Sequence, residues 1–531
     1  MSSTNTMSAP TFGISQPISQ DFPNKKDLLL NKSLTETLKS FNCFEPSEET
    51  SQRVKVLNKL NFLVKKWIHL LTITRIPMDV DAGGKLIAFG SYRLGVHSSG
   101  SDIDTLVLAP RHVTRMDFFS SFKKILLKDS EVKDLQAVET AFVPIMTLKY
   151  SGIEIDLLFA RLDMPTVPDN IDLSDENILK NLDPESVRSL NGCRVAEQLL
   201  KQVPNQLTFC ETLRAVKLWA KNHGIYSNAM GFFGGITWAI LVARTCQLYP
   251  NAAPSKLIQK VFFVFSTWNW PSPVILKHME DRFDMKNLKQ LVWDSRRNFA
   301  DRLHLMPIIT PSFPEQNSTH NVSRSTLQVI QKEMKEAFKI CEDIQKGKAT
   351  WKDLLEETNF FCKYKHFIAI SINAEKEKEE TQFAGFFESR IRQLVQLLER
   401  NSQVQIAQVN TRKFKASSSP GKSQWFIGLE FIQEAKNLDL TEEIKRFKKI
   451  IGNQAKEKIG TVQIDAVYVK RSNLITYISA AELKRGKFMK KETSPEKENA
   501  NRKRPTTKKS GDDVKKPRTA FNSIGSVQTT F

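Results

Sequence analysis

Length and charge limit what this 531-residue chain can be before any motif is considered. With about 150 residues per domain, the length corresponds to roughly three domains. An excess of 78 Lys and Arg over 58 Asp and Glu gives a formal net charge of +20, which favours a polyanionic partner, either nucleic acid or an anionic membrane. The six cysteines are scattered, without a CxxC pair or a His pair at zinc spacing, which argues against a disulfide framework and a structural zinc site.

The sequence predicts no membrane segment. The N-terminal residues are polar and lack the pattern of a signal peptide. The longest uncharged apolar run, residues 231–243, is too short to span a bilayer and is followed by Arg244, so we interpret it as a buried helix. We therefore expect no membrane partner.

The first part of the chain predicts an α/β domain preceded by a short arm. We assign residues 1–39 to an N-terminal arm and a helix that packs on the central domain, and residues 40–203 to a domain of mixed helices and strands. Asp183, followed by Pro184, has the pattern of a capped helix start. The β-rich segments of this domain are 86–89, 102–109 and 152–160.

The pattern becomes helical in residues 204–353. Thr208 with Glu211 has the spacing of a capping box, and Gly224 is a plausible end for the helix that follows. On that helix Arg214, Lys217 and Lys221 are spaced i, i+3 and i+7, which predicts three cations on one exposed face.

Residues 354–483 change character again and follow the order strand, helix, strand, strand, helix, strand. This βαββαβ order is the ferredoxin-like pattern that RNA-recognition domains also use. The segment at 423–431 lacks the basic-Gly-aromatic opening of the RNP1 consensus, so base stacking by this domain is not indicated. The strands are predicted at 360–372, 404–410, 423–431 and 461–469, and the helices at 385–400 and 441–452.

The last segment, 484–531, is basic and poor in apolar residues. Its stretch from Lys484 to Arg518 contains 14 Lys and Arg against five Asp and Glu, a net charge of +9. Such a composition buries too little surface to fold. Two basic clusters, 502–509 and 515–518, have the pattern of a nuclear localisation signal, which predicts a nuclear protein. A basic arm that holds RNA loosely is the alternative, and the two roles can coexist.

The strongest local signal lies between Phe89 and Asp104. Gly90-Ser91 follows an apolar strand and opens a helix, and a turn of small residues there lets backbone N–H groups approach a phosphate. Asp102 and Asp104 follow on a strand, whose alternation places both carboxylates on one face. Two like charges in this position repel each other unless a divalent cation lies between them.

A third carboxylate completes the pattern on another strand. Asp156 shares one strand face with Glu154, while Ile153, Ile155 and Leu157 are predicted to face the core. Three carboxylates on adjacent strands would hold two hard cations, and Mg²⁺ suits an all-oxygen site. Taken singly, each of these acidic residues could also be a solvent-exposed residue at the edge of a sheet.

The Gly-Ser turn, the Asp-x-Asp strand and the later Asp form the signature of nucleotidyltransferases that resemble DNA polymerase β. The resemblance becomes closer over longer motifs, and the chain looks like the eukaryotic nuclear poly(A) polymerases from about residue 20 to 485. The motifs are FGSYRLGV, SDIDTLVLAPRHV, AFVPIMTLKYSGIEIDLLFARL, SLNGCRV, LRAVKLWAKNHGIYSNAMGFFGG, WNWPSPVILK and MPIITPSFP.

The resemblance implies a fold and a reaction. The fold is α/β (α+β): a polymerase β-like nucleotidyltransferase domain, a helical central domain and a ferredoxin-like C-terminal domain similar to RNA-recognition domains. The reaction is template-independent addition of AMP from ATP to RNA 3′ ends, with two Mg²⁺ ions for which Mn²⁺ can substitute. We also expect a monomer that is recruited by subunits of a cleavage and polyadenylation complex.

The resemblance further assigns roles to individual residues. Asp102, Asp104 and Asp156 match the catalytic metal ligands, and Lys217 matches a lysine on the phosphates. Asn191 matches an asparagine near the ribose. The remaining positions that match nucleotide contacts are Phe89, Gly90, Ser91, Ser98, Ile103, Tyr226, Asn228, Gly235 and Ile236. Without the family, Tyr226 and Ile236 could be core residues, Asn191 a helix cap and Lys217 a solvated surface charge.

Two positions depart from the family pattern. Ser98-Ser99 occupies a loop that commonly carries other residues, so the contact of Ser98 with nucleotide is open. Thr147 stands where close relatives usually have a lysine that contacts the RNA primer, and Lys149 lies two residues on, on the same strand face. Thr147 and Lys149 are therefore the candidate RNA contacts.

Three alternative functions stay open at this point. The first is another terminal nucleotidyltransferase, such as a uridylyltransferase. The second is a catalytically inactive RNA-binding scaffold, against which the presence of all three aspartates argues. The third is synthesis of 2′–5′ linkages.

Overall fold

The computed structural model describes residues 12–76, 81–279, 285–373, 377–415, 423–435, 438–456 and 463–486. The chain forms two compact units, of which the first comprises 1–221, 233–322 and 330–355, and the second 222–232, 323–329 and 356–531. The predicted nuclear localisation clusters lie outside the described residues. Within the described part of the chain, no helix is both long and apolar enough to cross a bilayer.

The first unit contains a five-stranded mixed sheet. Its strands are β1 (Lys85–Ala88), β2 (Ile103–Ala109), β3 (Val132–Val138), β4 (Ile145–Tyr150) and β5 (Ile153–Arg161). They lie in the order β1-β2-β5-β4-β3, and only β2 and β5 run parallel. The three strands predicted from the sequence are confirmed, with ends shifted by one residue at most.

Helices cover both faces of this sheet. The helices before and beside the sheet are α1 (Lys25–Ser40), α2 (Ser47–Arg75), α3 (Gly90–Arg93), α4 (Arg115–Asp117), a π-helical turn (Phe118–Phe122) and α5 (Lys123–Lys128). A 3₁₀ turn (Glu176–Leu179) leads to α6 (Pro184–Lys201). Asp183 caps α6 as predicted, because its side chain accepts a hydrogen bond from the amide of Ser186.

Strand alternation divides the core of the sheet into two layers. Ile155 and Leu157 pack on the face that carries α2 and its buried Trp67. Leu106 and Leu108 face the opposite side and pack against α6. Asp104 and Asp156 have the parity of this second set, so the sheet presents them on the α6 side.

The helices that follow confirm a helical region and correct one cap. They are α7 (Gln206–Asn222), α8 (Gly235–Leu248), α9 (Pro254–Ser266), α10 (Lys286–Lys289), α11 (Phe299–Arg302), α12 (Arg324–Gln345) and α13 (Trp351–Leu355). The predicted capping box at Thr208 is wrong, because α7 begins earlier and the Asn205 side chain accepts from the Thr208 amide at 3.0 Å. Gly224 follows the end of α7 with φ +69°, as predicted. The apolar run 231–243 does enter a buried helix, α8.

The second unit contains the ferredoxin-like sheet. Its elements are a 3₁₀ turn (Asn228–Met230), α14 (Phe360–Lys363), β6 (His366–Asn373), α15 (Glu377–Glu388), α16 (Ile391–Leu398), β7 (Val404–Val409), β8 (Phe414–Lys415), β9 (Ser423–Phe431), α17 (Thr441–Lys456), β10 (Gln463–Lys470), a second 3₁₀ turn (Arg471–Thr476) and α18 (Ala480–Lys484). The antiparallel order β10-β6-β9-β7, with β8 on β9, is that of a ferredoxin-like fold.

Two details of the second unit differ from the prediction. The predicted strand 360–372 begins only at His366, because residues 360–363 form α14. The predicted helix 385–400 is two helices, since α15 ends at Glu388 and α16 begins at Ile391 after Arg390 with φ −123°.

Candidate active site

The parallel pairing of β2 with β5 brings the predicted carboxylates together. Asp104 and Asp156 are register partners on these two strands. The register is fixed locally, because the Thr105 hydroxyl donates to the Asp156 carbonyl at 2.9 Å. Asp102 precedes β2 and is exposed, whereas Asp104 and Asp156 are half-buried.

The carboxylates of this group repel one another. Burial raises the pKa of Asp104 to about 6, and the charges of Asp102 and Asp156 contribute to the rise. Burial also raises the pKa of Asp156 to about 6, together with the charges of Asp102 and Glu154. The protein thus places like charges in a partly desolvated position that only a cation would compensate.

Carboxylate oxygens are the ligands that Mg²⁺ prefers, so the chemistry of the donor set fits a divalent ion. As the side chains lie, however, no group of three or more His, Cys, Asp or Glu among the described residues is arranged to hold a metal ion. Asp102 is exposed and precedes the strand, so its side chain can rotate toward Asp104 without unpacking a core.

Gly90 places the start of α3 directly over Asp104. The Phe89 amide donates to the Asp104 carbonyl at 2.9 Å, and Gly90 adopts φ +60°. A Cβ at Gly90 would lie 2.0 Å from Oδ2 of Asp104, so a larger residue would have to displace this carboxylate. The Gly90-Ser91 turn is therefore held against the carboxylates, as a phosphate-approaching turn requires.

Helix α7 brings Lys217 to the same region. Burial lowers the pKa of Lys217 to about 8, Lys221 and Arg214 act in the same direction, and Asp102 and Asp104 act in the opposite sense. Its ammonium group donates to the Val96 carbonyl at 3.1 Å. The prediction of three exposed cations on this helix is wrong for Arg214 and Lys217, which are half-buried, and right for Lys221.

Other predicted nucleotide contacts lie on elements around α3. Asn191 lies on α6, and its buried Oδ1 has no hydrogen-bond partner among the described residues. Helix α6 approaches closely, since a Cβ at Gly192 would lie 2.6 Å from the Phe89 ring. Gly235 and Ile236 form the first turn of α8, which contacts α3, and Ile236 is half-buried.

The remaining predicted residues separate into two groups. Ser98 lies in the loop before β2, where its hydroxyl is 3.2 Å from that of Ser101, and Ile103 is fully buried behind the carboxylates. Tyr226 and Asn228 belong to the second unit, within the segment 222–232. The structure thus groups Phe89, Gly90, Ser91, Asn191, Lys217, Gly235 and Ile236 with the carboxylates in the first unit.

The two candidate RNA contacts have different surroundings. Thr147 on β4 is the register partner of Asp156, so it extends the row of Asp104 and Asp156 across the sheet. Lys149 is the partner of Glu154, with its ammonium group 3.5 Å from Glu154 and 3.4 Å from Asp134. The charge of Lys149 is therefore compensated by two neighbouring carboxylates.

Sequence reasoning missed a buried ion network beside the Ser98 loop. Arg53 and Glu45 pair at 2.5 Å with both side chains 3% exposed, and Nε2 of His97 lies 3.3 Å from Glu45. Burial lowers the pKa of His97 although Glu45 opposes this. Glu45 and Arg53 are eight residues apart, but His97 is distant in the sequence and no motif joins the three, so only an unusual Arg on the apolar face of α2 could have indicated them.

These features define a nucleotidyltransferase, and comparison with known proteins agrees. The model of the poly(A) polymerase nucleotidyltransferase domain matches residues 13–203, that of the central domain 208–357, and that of the predicted RNA-binding domain 359–424 and 417–488. Poly(A) polymerase PAPalpha of Candida albicans is 42% identical over 457 residues, which cover 84% of this chain and 81% of the relative.

Two further relatives extend the match. A poly(A) polymerase of Dictyostelium discoideum is 38% identical over 98% of this chain, and nuclear poly(A) polymerase 1 of Arabidopsis thaliana is 40% identical over 88%. The chain spans 66% of the length of each of these two. The chain belongs to the poly(A) polymerase family, and the resemblance predicted from its motifs is confirmed.

Solved structures resemble the chain more distantly. A structure of the RNA terminal uridylyl transferase Cid1 covers 62% of this chain and 99% of its own, with a TM-score of 0.41 and 15% identity. This likeness is too remote to bear on the function.

Proposed function

We propose that this chain is a polynucleotide adenylyltransferase that adds AMP from ATP to the 3′-hydroxyl ends of RNA without a template and so forms poly(A) tails. The observation that carries the proposal is the parallel register of β2 and β5, which makes Asp104 and Asp156 neighbours beneath the Gly90-Ser91 turn. The family of the chain supports the same reaction, because the three relatives are poly(A) polymerases.

The nucleotide would be held by groups of opposite charge and by contacts to its sugar and base. The amides of the Gly90-Ser91 turn and the ammonium group of Lys217 suit the triphosphate. The unpaired Oδ1 of Asn191 suits a ribose hydroxyl. We assign Tyr226 and Asn228 of the second unit, and separately Gly235 and Ile236 of the first unit, as candidate nucleotide contacts, together with Phe89 and Ser98. Ile103 is fully buried and would act by packing behind the carboxylates.

Asp102, Asp104 and Asp156 would hold two Mg²⁺ ions, for which Mn²⁺ can substitute. When bound, such ions lower the pKa of the RNA 3′-hydroxyl and stabilise the departing pyrophosphate. The mutual repulsion of the three carboxylates supports this assignment, because cations would relieve it.

The protein's own residues bind and orient the reactants. The RNA 3′ oxygen bonds to the α-phosphorus in line, the bond to the pyrophosphate oxygen breaks, and the hydroxyl proton passes to solvent. Lys217 offsets the charge that develops on the departing phosphates. Because burial holds its pKa near 8, Lys217 is still mostly protonated at neutral pH.

RNA would approach along the carboxylate row. Thr147 extends that row and Lys149 lies on the same strand face, so both are candidate contacts of the primer. We assign nucleotidyl transfer to 40–203, the central domain to 204–353 and RNA binding to 354–483. We further propose a nuclear monomer recruited by subunits of a cleavage and polyadenylation complex, with residues 1–39 as its arm and 484–531 as its nuclear localisation tail.

A primer-extension assay tests the function directly. Purified protein with an oligo(A) primer and Mg²⁺ is incubated with each NTP separately, and we expect extension with ATP alone. Asp156→Ala should abolish extension, whereas Asp169→Ala, which removes an exposed carboxylate that pairs with Lys65, should leave it unchanged.

Each alternative predicts a different result in the same assay. Equal extension with UTP would contradict the proposal and favour a uridylyltransferase. RNA binding without turnover would favour an inactive scaffold. A product that resists 3′–5′ phosphodiesterases would indicate 2′–5′ linkages.

A further inference from the structure

The loop between α3 and β2 is attached to α7 through its backbone. Four consecutive carbonyl oxygens, those of residues 94–97, accept hydrogen bonds from side chains of α7. Cys210 contacts the Leu94 carbonyl at 3.0 Å and Lys217 the Val96 carbonyl at 3.1 Å. Arg214 donates to the carbonyls of Gly95 and His97, the latter at 3.2 Å.

The three side chains share one face of α7, because their spacing is i, i+4 and i+7. The loop that they hold joins the Gly90-Ser91 turn to the Asp102–Asp104 strand. The position of this loop therefore sets how the phosphate turn, the carboxylates and Lys217 stand relative to one another.

Arg214 differs from its neighbours because it also reaches the segment before α2. Its guanidinium donates to the Cys43 carbonyl at 2.9 Å and lies 4.6 Å from the ring centre of Phe44. No carboxylate among the described residues forms an ion pair with it, so its hydrogen bonds all end on carbonyl oxygens. The hydrogen bonds of this half-buried arginine end on neutral backbone, and its positive charge lies next to Lys217, while the charge of Glu211 acts in the opposite sense.

We propose that Arg214 is a positioning residue for nucleotide binding. It ties the loop 94–97 and residue 43 to α7 and thereby holds Lys217 and the Gly90-Ser91 turn at the separation that a triphosphate spans. Arg214 itself does not touch the substrate. This inference rests on the proposed function, since it assigns the support of the site that would bind ATP.

The shape of the guanidinium is what the role requires. It contacts the carbonyls of residues 43, 95 and 97 at once, which a planar fork of donors can do. A lysine ammonium keeps the charge but is a single point on a flexible stem. Arg214→Lys therefore removes the fixed geometry and retains the positive potential, and Arg214→Gln removes both.

Steady-state kinetics on the full chain test the role. For Arg214→Lys we expect the KM for ATP to rise about tenfold while kcat falls less than about threefold, because binding geometry changes and the catalytic groups remain. Arg214→Gln should raise this KM at least as much. Hydrogen exchange of the amides in 94–101 should accelerate in both variants.

Arg244→Lys is the matched control. Arg244 is another buried arginine of the first unit, but its partners are the side chains of Ser15 and Gln247. The control variant should change the melting temperature at most, and leave the KM for ATP within twofold of wild type.

Two results would overturn the inference. One is a KM for ATP within twofold of wild type in fully folded Arg214→Lys protein. The other is a loss of activity that follows the folded fraction with KM unchanged, which is what a purely structural residue would give. If the wild-type chain extends no primer, the proposed function fails instead. Arg214 is then judged by direct calorimetric titration with Mg·ATP, where an unchanged Kd in Arg214→Lys rejects its role.

Discussion

The two five-stranded sheets of this protein differ in the residues that their faces present. In the first sheet, the parallel pair β2 and β5 places two half-buried carboxylates side by side on the face that carries α6. In the second sheet all pairings are antiparallel. Its central rows across β6 and β9 are apolar, for example Ile368 opposite Ile427, whereas Ser371 opposite Gln424 at one end is polar.

The second sheet also closes the face that RNA-recognition domains leave open. Helices α15 to α17 pack on one face, where Phe387 contacts Trp425 at 4.8 Å between ring centres. On the other face, Phe361 contacts the rings of Phe367 and Phe426 at 5.9 and 5.1 Å. The rings of Phe367 and Phe426 are buried and cannot stack on a base, which agrees with the absent RNP1 pattern.

Comparison of the two sheets shows that close packing around a glycine serves the candidate site in the first sheet and the core in the second. Gly90 in the first unit and Gly428 in the second both exclude a Cβ, the former because of a carboxylate and the latter because of the Tyr364 ring at 2.1 Å. The absence of a side chain thus leaves room for a carboxylate in the first sheet and for an aromatic ring in the second.

The largest expected effect comes from removing one charge of the carboxylate row. Asp104→Asn should lower kcat for primer extension by about 10³-fold or more, because it removes a carboxylate that would hold the ions stabilising the charge of the transition state. The melting temperature in EDTA should not fall, since the repulsion from Asp102 and Asp156 is removed. Extension assays and thermal scans in EDTA measure both, and a fall of the melting temperature by several degrees would contradict the electrostatic account.

Gly90→Ala should have the next largest effect. Its Cβ would displace Asp104, and φ +60° disfavours alanine, so kcat should fall about 10²-fold. Gly152→Ala is the control in the turn between β4 and β5. It has φ +83° with no atom within 4 Å of its Cβ, and so carries the backbone strain without the clash. Equal activity losses in the two variants would reject the steric explanation.

Gly428→Ala probes the second sheet. Overpacking against Tyr364 should lower the free energy of unfolding by about 2 kcal/mol with little change in kcat at low temperature. Gly452→Ala in α17 meets no neighbour and should raise stability by about 0.5–1 kcal/mol, since alanine favours a helix. Urea unfolding measures the change in stability, and hydrogen exchange of the β9 amides locates it. An unaltered urea midpoint for Gly428→Ala would contradict the predicted clash with Tyr364.

The smallest effect concerns the two candidate RNA contacts. Thr147→Lys places a cation opposite Asp156 and should lower the KM for an oligo(A) primer about threefold, with a steeper salt dependence. Lys149→Gln should change that KM less than twofold, because Asp134 and Glu154 already compensate the Lys149 charge. A larger effect of Lys149→Gln than of Thr147→Lys would make Lys149 the primer contact.

Local patterns predicted the carboxylate row well. Strand alternation suffices to place Asp104 and Asp156 on a face opposite Ile155 and Leu157, because a period of two leaves no other choice. The parallel pairing that makes the two aspartates neighbours is a long-range feature, and alternation within each strand does not predict it.

Other features escaped because they depend on contacts between distant segments. The burial of Lys217 results from packing of the loop 94–97, which helical spacing on α7 does not reveal. Thr208 and Glu211 have the spacing of a capping box, but α7 begins before Thr208 and the Asn205 side chain caps it. The clash that makes Gly428 obligatory involves Tyr364, which lies far away in the sequence.

The division of the chain into units has a consequence for its modularity. Residues 222–232 and 323–329 group with the second unit although the sequence on both sides of each belongs to the first. No single cut of the chain can therefore release either unit intact. A chimaera that exchanges the RNA-binding unit between relatives must graft both short segments with it, and with 222–232 it transfers Tyr226 and Asn228. Such a graft would therefore exchange two of the proposed nucleotide contacts together with the RNA-binding unit.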